Sequence, residues 1–426
     1  MNDYPSLIAK LTTPEVMAQF GTLYGNREGQ MLTQLNRYKA VLTRHEKEFD
    51  ARETVRLISA PGRVEIGGNH TDHNHGRVLA ASANLDILAA VSARDDLKVH
   101  ILSEGHATLT VDLSRLDADP GEEGTSEALV RGVAAGLQAC GHPIGGFDAV
   151  MTSTVAPGSG LSSSAAYEVL VAAIFDRLYG RGDLDFVSQA KIGQRAENRY
   201  FGKPSGLLDQ MASAAGGLVT VDFRDEEPAV TRLAYDFAAK GYALVVVATG
   251  GSHADLTADY AAIPAEMKQV ASCFGKTVLR EVPVDLFRKE IPALRKRVSD
   301  RALMRAMHFF NENERVTRQV DALRRDDLRA FLWEIRESGR SSFEYLQNVW
   351  CKPEDQSLSL VLCMAEDLLG DEGAWRIHGG GFAGTTLNFV PTDRLGRFVD
   401  TMDAAFGNGA SHVLDIRPVG AYTLQI

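Results

Sequence analysis

The segment that most constrains the fold is APGSGLSSSAAYEVL at residues 156–170, where two spaced glycines and three serines precede a good helix former. It follows FDAVMTSTV, a run typical of a strand. Gly158 and Gly160 let the backbone approach a ligand closely and adopt positive φ. A loop between a strand and a helix N-terminus presents free N–H groups and the positive end of the helix dipole, which favours phosphate binding. A glycine-serine turn that only caps the helix is the alternative.

Along the rest of the chain, strand-like runs alternate irregularly with helical segments. Runs rich in β-branched residues, typical of strands, include VRLISAP, RVLAAS, DILAAVSAR, LKVHILSE, ATLTVDLS, GGLVTVDF and YALVVVAT. Residues 1–50 and 280–345 are charged and helical in pattern. This order predicts an α+β fold with two lobes rather than a regular doubly wound sheet.

Charge and cysteine content exclude several classes of protein. A formal net charge of -11 disfavours nucleic acid as a partner, because phosphodiester backbones would be repelled. No apolar run approaches the roughly 20 residues of a membrane span, and the N-terminal segment does not resemble a secretory signal. The four cysteines form no Cys-x-x-Cys pair and suit a reducing compartment. We therefore predict a cytoplasmic protein with no membrane partner.

A second glycine-rich loop, GRVEIGGNHTDHNHG at residues 62–76, concentrates hydrogen-bonding side chains after a strand. Arg63, Asn69, His70, Asp72 and His73 suit a ligand with many hydroxyl groups, each of which needs a donor or an acceptor. A metal site formed by the histidines and Asp72 is one alternative, and a polar surface turn is another.

A third segment carries a single carboxylate in apolar surroundings. Asp209 stands in LLDQMA after the turn at residues 204–206, where it is either a helix cap or a functional group. The two ligand-binding loops favour the functional interpretation. Other nucleotide motifs fit poorly: FGKT at 274–277 lacks the first glycine of a Walker A loop, and GGGFAG at 379–384 precedes a strand instead of the helix of a dinucleotide site.

These three loops, in this order, resemble the motifs of the GHMP kinases. The loop at 62–76 is similar to the galactokinase pattern G-R-V-N-L-I-G-E-H-T-D-Y-N-x-G, and residues 157–165 are similar to the serine-rich phosphate loop. GLLDQ at 206–210 resembles the catalytic-aspartate motif, and residues 378–384 resemble the third, glycine-rich motif. The resemblance extends from about residue 56 to the end of the chain.

The resemblance implies a two-lobed GHMP kinase fold with the active site between the lobes. A helical extension is expected at residues 1–55, an N-terminal lobe with the ATP and sugar loops at 56–220, and a ferredoxin-like C-terminal lobe at 221–426. The implied activity is that of an ATP-dependent sugar kinase, which phosphorylates the anomeric hydroxyl of galactose. A monomer or a weak homodimer is expected.

The same resemblance assigns roles to individual residues. Arg63 and Asp209 match the catalytic pair, and Ser164 and Glu197 match the ligands of Mg²⁺. The expected ATP contacts are Gly158, Ser159, Gly160, Leu161, Ser162, Ser163, Ser164 and Ser103. The expected sugar contacts are Asn69, His70, Thr71, Asp72, Gly206 and Tyr260.

Four positions depart from the galactokinase pattern. Asn69 replaces a glutamate that holds the 6-hydroxyl of the sugar, Glu65 replaces an asparagine, His73 replaces a tyrosine, and Ile263 stands where arginine is usual. An uncharged residue 69 would tolerate a 6-carboxylate, so a kinase for a 6-modified hexose such as galacturonate is an alternative, with Asn69 as the specificity switch. A sugar sensor without turnover is a second alternative, but the complete phosphate loop and catalytic pair favour an enzyme.

Overall fold

The computed structural model describes residues 4–26, 29–49, 54–155, 160–250, 256–350, 352–382 and 384–426. Its helices are α1 Tyr4–Lys10, α2 Pro14–Tyr24, α3 Gln30–Glu48, α4 Ser126–Ala139, α5 Ser163–Leu178, α6 Phe186–Arg199, α7 Leu208–Ala215, α8 Thr257–Ser272, α9 Val284–Leu294, α10 Asp300–Arg324, α11 Leu328–Ser341, α12 Ser357–Leu369 and α13 Leu395–Phe406. A short π-helical turn at Ser342–Leu346 follows α11.

Twelve strands within these ranges form two sheets. They are β1 Arg56–Gly67, β2 Arg77–Ala93, β3 Lys98–Ser103, β4 Leu109–Asp112, β5 Phe147–Ser153, β6 Leu218–Asp222, β7 Ala229–Leu233, β8 Tyr242–Ala248, β9 Ala374–His378, β10 Thr385–Pro391, β11 Ser411–Leu414 and β12 Tyr422–Thr423. The larger sheet has the strand order β12-β1-β2-β5-β3-β4. In addition, β6 pairs with β2, and β7 pairs with β6. The smaller sheet has the order β11-β8-β10-β9.

The long strand β2 organises the larger sheet. Its second half pairs with β5 and its first half pairs with β6, while β1 runs antiparallel along most of its length. Helices α4 to α7 cover one face, and their apolar side chains form one core with alternate residues of the strands, such as Ala89, Val91, Ala149 and Met151. Helices α1 to α3 cover the other face, where Phe20, Tyr38 and Leu42 join a second core.

The smaller sheet is covered on both faces, so successive side chains of β8, which point to opposite faces, are buried on both sides. Leu244 and Val246 of β8 face a core shared with β1, β2, α10 and α11. Val245 and Val247 face α12 and α13. The first of these cores joins the two sheets, so the loop after β1 and the loop between β9 and β10 meet at this junction.

The chain crosses between the sheets more than once. The pair β6–β7 belongs to the larger sheet, and β12 returns the end of the chain to β1, where Thr423 lies opposite Ile58. The larger sheet thus takes in residues on both sides of position 220, and the division of the chain at 55 and 220 stays a prediction. Among the described residues, no helix is long and apolar enough to cross a membrane.

Candidate active site

Arg63 and Asp209 form a two-point ion pair at the junction of the two sheets. Arg63 lies just past a register shift in β1, and Asp209 lies in the first turn of α7. Arg63 Nε is 2.7 Å from Asp209 Oδ1, and a terminal guanidinium nitrogen is 2.8 Å from Oδ2. The arginine side chain is 7% exposed and the aspartate 32%, so the carboxylate is the member that solvent or a ligand can reach.

The surroundings keep Asp209 ionised. Burial alone would raise the pKa of this carboxyl, but the charge of Arg63, with hydrogen bonds from Arg63 and Ser162, outweighs it and lowers the pKa. Ser162 Oγ donates to Asp209 Oδ2 at 2.6 Å. Leu207 is the N-cap residue of α7, without a side-chain cap. Of the two interpretations of Asp209, a helix cap is therefore ruled out.

The described part of the phosphate loop starts at Gly160, which has φ 72°. Its carbonyl oxygen accepts a hydrogen bond from Arg63, and a β-carbon at this position would overlap Thr385 Oγ1. Leu161 is buried, and its carbonyl accepts from the backbone N–H of Arg63 at 3.0 Å. Gly158 and Ser159 lie outside the described residues. The loop is thus joined to β1 directly beside the ion pair.

The three serines of this loop differ in their contacts. Ser162 has φ 58° and is the N-cap residue of α5, but its side chain makes no cap bond, contrary to the expectation that it caps the helix. The positive φ leaves its hydroxyl on Asp209 instead. Ser163 and Ser164 form the first turn of α5. This turn presents the positive end of a 16-residue helix to the loop.

Ser164 and Glu197 provide two neighbouring oxygen donors. Ser164 Oγ lies 3.0 Å from Glu197 Oε1 on α6, and Lys203 Nζ lies 2.9 Å from the same oxygen. Gln210 Nε2 donates to Glu197 Oε2 and to Glu168 Oε2, both at 2.9 Å. Burial, reinforced by the charge of Glu197, raises the pKa of Glu168 well above its usual value.

Hydroxyl and carboxylate oxygens are the ligands that Mg²⁺ accepts, and this ion usually takes only one or two of them from protein while water and phosphate complete its shell. Ser164 and Glu197 fit that requirement. Lys203 and Glu168 were not predicted as site residues, although Glu168 lies in the segment at 156–170 and Lys203 shortly before the motif at 206–210. No group of three His, Cys, Asp or Glu side chains suited to a metal is found in the described residues, which disfavours the histidine metal site.

The loop after β1, residues 68–76, contains several hydrogen bonds between its own residues. Thr71 is buried, and its hydroxyl lies within hydrogen-bond distance of the carbonyls of Gly68 and Arg77. Asp72 Oδ1 accepts from the N–H of His73. Gly206 packs so closely on Asp72 that a β-carbon would overlap its carboxylate. The segment that leads to Asp209 therefore touches this loop.

The loop between β9 and β10 closes over the same place. His70 Nε2 donates to the carbonyl of Gly380 at 2.9 Å, and Tyr260 Oη donates to that of Gly381 at 2.7 Å. Burial is the main cause that lowers the pKa of His70 to about 4, and the charge of the nearby His73 lowers it further. His378 accepts from the backbone N–H of Glu65 and lies 3.0 Å from Thr385 Oγ1. The sequence analysis did not include His378 or Thr385 among the site residues.

Asn69 is fully buried and contacts other parts of the protein on every side. Its amide nitrogen donates to Glu65 Oε1 and to the carbonyl of Gly379, and its amide oxygen accepts from Asn348 and Ser342. Ile263 is also fully buried, in a core with Met267 and Phe309.

Ser103 ends β3 and lies opposite Met151 of β5, the strand that leads towards the phosphate loop.

Comparison with known proteins identifies two family patterns. The chain matches the galactokinase galactose-binding signature over residues 43–93 and the GHMP kinase N-terminal domain over residues 128–217. A galactokinase from Streptomyces coelicolor is 34% identical over 380 residues, which are 87% of this chain and 95% of that protein. A galactokinase from Glaesserella parasuis is 31% identical over 366 residues, 83% of this chain and 89% of that protein.

Solved structures show the same architecture. Lactococcus lactis galactokinase, complexed with galactose, superposes with a TM-score of 0.76 at 22% identity, over 98% of this chain and 99% of that one. Methanococcus jannaschii mevalonate kinase superposes with a TM-score of 0.60 at 13% identity, over 84% and 98%. The mixed α and β fold predicted from the sequence is confirmed.

Proposed function

The chain belongs to the galactokinase family, the members of which are sugar kinases that use ATP, and we propose that it transfers the γ-phosphoryl group of ATP to the anomeric hydroxyl of galactose. The observation that carries the proposal is the Arg63–Asp209 ion pair, which contacts the phosphate loop and lies beside the loop at residues 68–76. One charged pair thus serves both substrates.

In the proposed reaction the anomeric oxygen attacks the γ-phosphorus as the bond from that phosphorus to the bridging oxygen of ADP breaks. The hydroxyl proton passes to Asp209. Because the lowered pKa makes Asp209 a weak base, it accepts the proton late, when the phosphoryl group has already withdrawn charge from the attacking oxygen. Arg63 orients the carboxylate and stabilises the negative charge that develops nearby. The products are galactose 1-phosphate and ADP.

The phosphate loop is proposed to supply the nucleotide contacts. Residues 158–164, together with Ser103, would hold ATP, with the N-terminal turn of α5 directed at its phosphates. Ser164 and Glu197 would hold Mg²⁺, which when bound neutralises charge on the phosphate oxygens. Lys203 adds a second positive charge at the same carboxylate.

The sugar is proposed to lie against residues 69–72, Gly206 and Tyr260. The galactokinase relatives favour galactose as the acceptor. A 6-modified hexose such as galacturonate is the second candidate, because positions 65, 69 and 73 depart from the galactokinase pattern. A sugar sensor remains the third outcome, which the presence of the whole ion pair and the serines disfavours.

We further propose a cytoplasmic monomer or weak homodimer. Three of the four cysteines, Cys140, Cys273 and Cys363, carry free thiols, which suits a reducing compartment. The fourth, Cys351, lies outside the described residues.

Release of ADP with a panel of sugars tests the proposal. Galactose, galacturonate, 6-deoxygalactose and glucose are each supplied with MgATP, and the product is identified by ³¹P NMR. Preferred turnover of galactose to its 1-phosphate supports the proposal. Preferred turnover of galacturonate selects the second candidate. Binding of sugar and ATP by calorimetry without ADP release above that of Asp209→Asn identifies a sensor.

A further inference from the structure

Two side chains at the end of β1 contact each other where the galactokinase pattern has the opposite assignment. The pattern places asparagine at position 65 and glutamate at position 69, whereas this chain has Glu65 and Asn69. Asn69 Nδ2 donates to Glu65 Oε1 at 2.9 Å, and both residues are buried. This chain therefore has one amide and one carboxylate at these two positions, as the galactokinase pattern does, but with the two residue types exchanged. The two side chains are in direct contact.

Arg376 of β9 accounts for the position of the carboxylate. A terminal nitrogen of Arg376 lies 2.7 Å from Glu65 Oε1, and the arginine is fully buried. Its Nε and its other terminal nitrogen have no hydrogen-bond partner in the described parts of the chain. A buried guanidinium with so few partners needs a nearby anion, because an uncompensated buried charge is strongly destabilising. Glu65 is that anion.

The amide of Asn69 has no free hydrogen-bonding position. A carboxamide offers two N–H donors and an oxygen with two lone pairs. The donors go to Glu65 and to the carbonyl of Gly379, the latter at 2.7 Å, and the oxygen accepts from Asn348 at 2.9 Å and Ser342 at 3.3 Å. A sugar hydroxyl could contact this amide only by displacing one of these partners.

The same partners connect the loop at residues 68–76 with the loop between β9 and β10. Asn348 Nδ2 also donates to the carbonyl of Gly380, which accepts from His70 as well. His308 Nε2 donates to the backbone carbonyl of Asn69 at 2.9 Å. Residue 69 thus fixes the separation between the two loops that enclose the proposed sugar site.

We propose that Glu65 and Asn69 are a positioning pair, anchored by Arg376, that holds the loop at residues 68–76 against the loop at residues 379–381 and does not itself contact carbon 6 of the sugar. This inference deepens the proposed function and depends on it for the identity of the sugar. It replaces the specificity switch expected at Asn69. Other side chains would recognise carbon 6 of the sugar, and the Glu65–Asn69 pair would set the positions of those side chains.

A double-mutant cycle measured by thermal unfolding tests the pair without any use of activity. Glu65→Asn leaves Arg376 without an anion. Asn69→Glu brings a second carboxylate against Glu65 and removes the donor to Gly379. Each single change should lower the melting temperature on the order of 5 °C. The double exchange Glu65→Asn/Asn69→Glu should recover at least half of the summed loss, because Asn348 and Ser342 already offer donors that suit a carboxylate at 69.

Kinetics separate positioning from a purely structural role. At a temperature where every variant is folded, each single change should raise the KM for the sugar about tenfold and leave the KM for ATP within about twofold, with recovery in the double exchange. Loss of folded protein alone would lower the apparent kcat and leave both KM values unchanged. Asp86→Asn, which breaks a buried ion cluster facing α2 and α3, is the matched control for lost stability and should leave both KM values unchanged.

Two results would overturn the proposal. One is strictly additive loss of melting temperature in the cycle. The other is a rise in galactose efficiency from Asn69→Glu alone, which would place residue 69 against the sugar. If Glu65→Asn does not fold, Glu65→Gln replaces it, since glutamine still accepts from Asn69 while losing the charge. If the unchanged protein phosphorylates no sugar, the proposed function fails, yet the melting cycle still decides whether the pair exists.

Discussion

Asp209 receives three hydrogen bonds, two from Arg63 and one from Ser162. Such a carboxylate is ionised and fixed in direction, but it is a weak base. The catalytic role proposed for Asp209 therefore depends on where the carboxylate points when the phosphoryl group moves, more than on its affinity for a proton in the ground state.

Asp209→Asn should lower kcat by about 100-fold or more, because the amide can neither accept the proton nor carry the charge. ATP affinity should change little, since the nucleotide contacts are proposed to come from the phosphate loop. The measurements are ADP release for kcat and calorimetry for ATP. Asp96→Asn is the control, because Asp96 is also paired with an arginine at 2.7 Å but is 44% exposed and lies outside the site. Near-normal turnover of Asp209→Asn would remove this residue from the mechanism.

At the scale of single residues, the sequence predicts which motifs lie side by side better than it predicts the hydrogen-bond partners of each side chain. Arg63, Ser162 and Asp209 stand in recognisable motifs, and the structure brings them together. The partners of Asn69 could not be predicted, because Asn348 and Gly379 are 279 and 310 residues further along the chain. Only the packing of the two sheets brings them within hydrogen-bond distance.

At the scale of elements, the strand, loop and helix around the phosphate loop were predicted correctly. β5 ends at Ser153 and α5 begins at Ser163. The predicted runs at 77–82 and 86–94 proved to be a single strand, β2, and β1 continues through Pro61 and Gly62 to Gly67. Register shifts between β1 and β2 absorb these breaks, and periodicity alone does not reveal them.

Gly160→Ala tests the requirement for glycine in the phosphate loop. Alanine would have to adopt φ 72° and would place its β-carbon against Thr385 Oγ1. Positive φ alone costs alanine about 1–2 kcal/mol, and the steric overlap adds to it by displacing the loop. The dissociation constant for ATP, measured by calorimetry, should rise about tenfold or more.

Gly275→Ala is the matched control for that change. Gly275 has φ 69°, and a β-carbon there would meet nothing within 4 Å. This variant should lose stability from backbone strain and keep its ATP affinity. Thr385→Ala combined with Gly160→Ala should regain part of the affinity, because the overlapping hydroxyl is removed. Unchanged ATP affinity in Gly160→Ala would contradict a close approach of the loop to the phosphates.

At the scale of the whole molecule, four buried or half-buried histidines make folding sensitive to acid. Burial is the main cause that lowers the pKa of His45, His70, His308 and His378. The unfolded chain therefore takes up protons first, near the ordinary value of about 6.5. The stability due to each neutral histidine is complete above that pH and declines below it, down to the folded pKa, which is about 4 for His70.

The midpoint of urea unfolding should therefore fall as the pH is lowered from 7.5 to 5. Each histidine contributes at most about 1.4 kcal/mol per pH unit to the slope of the free energy of unfolding against pH. His45→Gln removes one contribution far from the proposed site and should flatten the curve, whereas His106→Gln on the surface should leave it unchanged. An equal slope in His45→Gln and in the unchanged protein would show that His45 is not neutral in the fold.

The two ends of the chain meet on one carboxylate. Asp86 of β2 is fully buried and accepts from Arg37 of α3 at 2.6 Å, from Tyr24 of α2 at 2.6 Å and from Arg417 near the C-terminus at 2.8 Å. Burial would raise the pKa of Asp86, but Arg37 and Arg417 outweigh that effect and lower it. The cluster fastens both the first helices and the final segment to the middle of the larger sheet.

Asp86→Asn should lower the free energy of unfolding by about 3–5 kcal/mol, because the change keeps the shape of the side chain but leaves two buried guanidinium groups without an anion. The urea midpoint measures the loss. In Asp96→Asn, where the broken pair is on the surface, the loss should stay below about 1 kcal/mol.

The pH dependence of this loss tests the charge of Asp86. Because the pKa of Asp86 is lowered in the fold, the ionised carboxylate stabilises the protein above the pKa of the unfolded chain, about 3.9. The difference between Asp86→Asn and the unchanged protein should therefore shrink as the pH falls below 4. A difference that stays constant down to pH 2 would mean that the charge of Asp86 does not hold the chain ends together.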